Sequence, residues 1–163
     1  MSHQPVPSKA AIKGHPLHPV MIPFPIAFGS AVVVTDVAYW IGDTRGWALA
    51  SAWLLWATFG TGVIAALLGA IDYFGVREIR EHRMATWHGA GNAAALLVVL
   101  VNGLIRIADV EDAVLPWGLV LSVVTVAIIG VTGYMGGELS YKHMIGVNPR
   151  ASEPGSPITG SRR

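Results

Sequence analysis

Six side chains in this sequence are able to ligate a metal or handle a proton at one rim of a helical bundle: His15, His18, His88, His143, Asp72 and Glu138. Counting helical turns along the chain brings all six to the same end, while Asp36 falls near the opposite rim. A neutral imidazole nitrogen is a good donor to haem iron and to transition metals, so a ring of histidines there points to cofactor binding. The chain contains no cysteine, which removes disulfides, thiolate metal sites, cysteine-ligated iron–sulfur clusters and covalent haem attachment.

The elements that must position these residues are membrane helices. Of the 163 residues, 53% are hydrophobic and only 13% charged, far below the roughly 25% charge of a soluble domain. Mean hydropathy is +0.53. The apolar runs approach the roughly 20 residues that a helix needs to cross the hydrocarbon. Four spans are expected, at 20–41, 47–74, 86–107 and 116–139, the last with an extension toward His143. Residues 1–19 form a proline-broken interfacial arm, 20–146 the transmembrane domain, and 147–163 a Pro/Ser/Gly-rich disordered tail. The leader lacks a signal-peptide cleavage site, and no internal repeat is evident. Short connections favour an all-α, up-down-up-down four-helix bundle with both termini on one side.

Orientation follows from the basic residues. Lys9, Lys13, Arg77, Arg80, Arg83, Lys142, Arg150, Arg162 and Arg163 lie on the side of the termini, against Arg45 and Arg106 on the other. The positive-inside rule then makes both termini and the histidine rim cytoplasmic. Trp40, Trp47, Trp87 and Trp117 fall at span ends as interfacial anchors. Flanking charges of this kind are not a nucleic-acid patch, and no phosphate-binding loop, serine-triad pattern or HExxH motif is present.

Local context divides the histidines. His15 and His18 each precede a proline, which favours extended backbone and a stiff arm folded over the rim. His88 opens the third span, where a helix N-terminus keeps imidazole neutral, with Asn92 one turn deeper on the same face. The fourth span presents Ser122, Thr125, Ile129, Gly133 and Gly136, a small-residue face that admits a helix or a flat ligand and continues toward His143. Gly62, Ala65, Gly69 and Asp72 share a face of the second span, and Asp72 is expected to pair with Arg77, Arg83, His88 or an arm histidine. Asp36 is expected to bond Thr35 or reach interfacial water. His82 is read as solvent-facing, and His3 is set aside in the leader.

Three strings are distinctive: His15-Pro16-Leu17-His18-Pro19 leading into the first span, Trp87-His88-Gly89 with Asn92, and the closing Gly136-Gly137-Glu138-Leu139 with Tyr141 and His143. Together they resemble the bacterial membrane family called domain of unknown function 2231, over about Gly14 to Val147. The resemblance implies four spans in the bacterial inner membrane. Because some members are joined to Rieske-type or cytochrome c-like domains, it also implies a place in electron transfer, with a separate redox partner protein.

The leading expectation is a b-type haem protein with two histidine ligands, His88 and His143, near the cytoplasmic rim. His15 or His18 replaces either or bonds a propionate, and Asp72, Asn92 and Glu138 surround the ligands. Two alternatives stand beside it: a non-haem transition metal held by His88, His143, His15 and His18, and a cofactor-free structural or assembly subunit of a larger membrane complex. Each makes the chain a carrier or subunit rather than an enzyme, embedded in lipid and open to homo-oligomerisation.

Overall fold

The computed structural model describes residues 5–147. His3 and the tail from 148 lie outside the described residues. A two-stranded hairpin comes first, β1 (Ala11–Ile12) and β2 (His15–Pro16), with Ile12 opposite His15. Its two-residue turn places Lys13 and Gly14 at φ 49° and 81°, the positive values that a tight hairpin requires. The helices follow: α1 (Leu17–Met21), α2 (Pro23–Gly42), α3 (Arg45–Gly75), α4 (Arg77–Arg80), α5 (Arg83–Ala108) and, after a π-helical turn at Val114–Gly118, α6 (Leu119–Tyr141).

Four stretches are long and apolar enough to cross a membrane: Leu17–Gly42, Arg45–Gly75, Arg83–Ala108 and Val114–Tyr141. Their most apolar windows are only 22–28% buried within the bundle, so most of that surface is left for lipid. Trp40, Trp47, Trp87 and Trp117 are all exposed, as interfacial anchors should be. The spans start earlier than expected. Thr86 does not cap α5, because its hydroxyl meets the Tyr73 hydroxyl at 3.0 Å and the helix begins three residues before it. His18 is helical rather than extended. Pro19 falls within the first turn of α1, where no intrahelical N–H is owed.

The interior is small and polar rather than oily. Val32, Leu55 and Val99 form its one central apolar cluster among the described residues, surrounded by buried Ser51, Thr58, Asn102, Ser122, Thr125 and Thr132. In lipid there is no hydrophobic gain from burying leucine between helices, so close packing and hydrogen bonds hold the bundle. α2 packs most extensively on α3, and α5 on α6. Arg45 bonds Glu111 at 3.0 Å, joining the two inter-helix turns. Beside it the Asp109 carboxylate accepts the backbone N–H groups of Asp112 and Glu111, which hold its pKa below the usual value. At the other end Val6 bridges to Ile145, over an apolar cap of Ile79, Ala85 and Leu139.

The two hairpins, α1–α3 and α5–α6, carry several of their interior residues at matched spacing. The interval from His18 to Asp36 equals that from His88 to Arg106, and the interval from Thr58 to Gly69 equals that from Thr125 to Gly136. A central cavity of about 10 Å3 is lined by four matched pairs: Gly29 with Val99, Val32 with Asn102, Leu55 with Ser122 and Thr58 with Thr125. Sequence comparison misses this because most matched positions differ in chemistry.

Candidate functional site: a histidine pair and a buried ion pair

Two polar centres lie inside the bundle, one toward each end. The first is built on His18 and His88, at equivalent places in the two hairpins. Their ring centroids are 6.2 Å apart and the ring planes are nearly perpendicular, at 86°. His18 Nδ1 lies 2.7 Å from the Ala65 carbonyl oxygen on α3, and His88 Nδ1 lies 2.8 Å from the Thr132 carbonyl oxygen on α6. A carbonyl only accepts, so each Nδ1 carries the proton and donates it. When the ring is neutral, that leaves Nε2 with its lone pair.

Glycine makes these bonds reachable. A carbonyl inside a helix is normally shielded by the side chain one turn further on, and here those positions are Gly69 and Gly136. A Cβ at Gly69 would stand 3.1 Å from His18 Cε1 and Nδ1, and one at Gly136 would stand 3.0 Å from His88 Cε1. Gly136→Ala is therefore expected to turn the His88 ring off Thr132. The protected His88 Nδ1–H signal should be lost in a proton NMR spectrum, and its survival unchanged would overturn this account.

Asn92 adds the outer contact expected of it. Its amide nitrogen donates to the His88 carbonyl oxygen at 2.9 Å and to His88 Nε2 at 3.2 Å, and its oxygen accepts from Thr132 Oγ1 at 3.1 Å. The bond to the His88 carbonyl is the shorter, so Asn92 keeps a partner if Nε2 is taken by something else. Thr132, not Gly133, completes the interior face of α6; Gly133 is exposed, with nothing within 4 Å of a Cβ placed there.

The remaining candidates go elsewhere. His143 lies just beyond α6 with its ring 4.4 Å from that of His82, which is half-buried rather than solvent-facing. His15 is exposed on β2. Glu138 pairs with Lys142 at 2.6 Å. Asp72 takes none of its expected partners. It accepts the Lys9 and Ala10 N–H groups at 2.7 and 2.8 Å and the Ser8 hydroxyl at 2.7 Å. Among the described residues no group of three or more His, Asp or Glu converges as a bare metal ion would need.

The second centre was hidden in the sequence. Asp36 is wholly buried, and Thr35, its expected partner, bonds carbonyls of its own helix instead. The Asp36 carboxylate takes a two-pronged contact from Arg106, Nη1 to Oδ1 and Nη2 to Oδ2, both at 2.8 Å. Ser51 and Ser122 also donate to it, the latter at 2.7 Å. Asn102 holds Arg106 Nε at 3.1 Å. Arg106 is thus buried inside the bundle rather than a surface charge at a span end. Four membrane-spanning segments supply this network, and its polar groups satisfy one another.

With this geometry in place the chain can be compared with known proteins. A family model described as a predicted membrane protein, DUF2231, matches residues 14–149. The chain belongs to that family. Comparison with curated proteins and with solved structures yields no match. What this DUF2231 protein does must accordingly be argued from its two interior centres. Of these two, the histidine pair offers ring nitrogens to a ligand.

Proposed function

We propose that this DUF2231 protein is a b-type haem protein of the bacterial inner membrane, serving electron transfer, in which His18 and His88 would hold the haem. One observation carries the reading: equivalent histidines from the two hairpins meet at 6.2 Å, each with Nδ1–H tied to a main-chain carbonyl. Such a bond fixes the tautomer and makes Nε2 a better donor. A haem would supply one-electron chemistry there.

The donor set fits haem better than a bare ion. Two imidazoles would suffice to hold a haem, whereas a non-haem metal site needs further protein ligands. His143, favoured by helix-end position, gives way to His18. Asn92 and Thr132 orient His88, while Ala65 and Gly69 seat His18. The basic-residue bias supports placing this end of the bundle and both termini on the cytoplasmic side, where a soluble or membrane-bound redox partner would approach.

The test is the visible spectrum of protein purified from cells supplied with haem, oxidised and then reduced. A sharp low-spin spectrum is expected, lost in both His18→Ala and His88→Ala and kept in His143→Ala. A colourless preparation would sink the proposal, as would a spectrum indifferent to His18 and His88.

A further inference from the structure

One face of α3 receives residues 8–10 and the ring of His18. Ala65 and Gly69 take the imidazole. One turn on, the Asp72 carboxylate binds Ser8, Lys9 and Ala10. At the end of the helix the aliphatic part of Lys9 lies over Gly75, where a Cβ would stand 2.6 Å from Lys9 Cδ. The hairpin β1–β2 is closed at its base by Leu17 N–H donating to the Ala10 carbonyl at 2.8 Å. Asp72 thus fixes one side of that base, and His18 follows directly on the other.

We infer that Asp72 is a positioning residue for His18. Three donors on one carboxylate anchor the arm, and the closed hairpin transmits that anchor to the first turn of α1. Without it, the main-chain contacts of residues 5–10 are the Val6 bridge to Ile145 and the Ala10 bond to Leu17, neither of which ties the segment to α3. The ring would then lose its defined seat on α3. The geometry of the anchor is independent of any cofactor; its meaning for ligation rests on the haem reading above.

The measurement is made on the full chain without haem, in lipid nanodiscs, by following exchange of imidazole N–H protons by NMR. Asp72→Ala is expected to speed exchange of His18 Nδ1–H by at least about tenfold, the weight of a charge-assisted bond, while His88 Nδ1–H and Arg106 Nε–H hold their wild-type rates. Ser8→Ala, which leaves two of the three donors, should act in the same direction by less, and Asp72→Asn should recover part of the protection. Unchanged His18 exchange in both Asp72→Ala and Ser8→Ala would overturn the inference. So would equal acceleration at His18, His88 and Arg106, which marks general loosening. With haem supplied, Asp72→Ala should convert a low-spin spectrum to a high-spin one. Wild-type protein that takes up no haem would refute the haem reading while the ring measurement still decides the role of Asp72.

Discussion

Asp36→Ala is expected to lower the stability of the bundle by about 3–5 kcal/mol, the usual cost of stripping one partner from a buried ion pair. Both side chains are essentially sealed from outside, at 0% for Asp36 and 1% for Arg106. Removing the carboxylate leaves a guanidinium inside a membrane domain with Asn102 and Ser51 as neutral partners. Asp36→Arg, which sets two guanidiniums together, should be at least as damaging. Replacing both charges, Asp36→Leu with Arg106→Met, should recover much of the loss, because the penalty comes from the unpaired charge rather than from the absent pair. Equilibrium unfolding in mild detergent measures all three. Equal stability of Asp36→Ala and wild type would show that the pair carries no weight.

Gly118→Ala is the second large effect, expected to cost about 3 kcal/mol by overpacking. A Cβ there would run into the carbonyl carbon and oxygen of Ala113 and stand 2.8 Å from Arg106 Nη2. The first obstacle is backbone, which cannot swing aside, and the second is half of the ion pair. The Gly118 carbonyl also accepts from Asn102 at 3.1 Å, so any shift of the π-helical turn propagates into the network. Gly133→Ala is the matched control. It sits in the same span in open space, and should leave stability unchanged or raise it by up to about 1 kcal/mol through helix propensity. Thermal unfolding that shows the two variants alike would overturn the account.

The four spans were legible because apolar runs of that length have few other uses, and Asn92 was legible because one helical turn fixes its distance from His88. The partners of the histidines were not, since Ala65 and Thr132 contribute main-chain oxygens that no side chain announces. Gly69 and Gly136 were the visible trace, as small residues on inward faces. In the sequence His18 reads as part of an extended arm and ranks behind His143 because a proline after it argues for extended backbone, and only the location of Pro19 in a first turn reverses that argument. Asp36 and Arg106 each looked like a lone charge near a span end. Their pairing requires knowing that the hairpins face one another, and the matched spacing behind it is masked by unlike residues at the matched positions.

That unlikeness has a consequence for assembly. Asp36 and Arg106 hold the same place in two equivalent hairpins, so two copies of the first would bring carboxylate against carboxylate, and two copies of the second would oppose guanidiniums. Only a first hairpin meeting a second leaves the interior neutral. In the chain the first hairpin precedes Arg106, so the guanidinium that Asp36 pairs with comes from the later half. The opposite charges therefore act as a matching key.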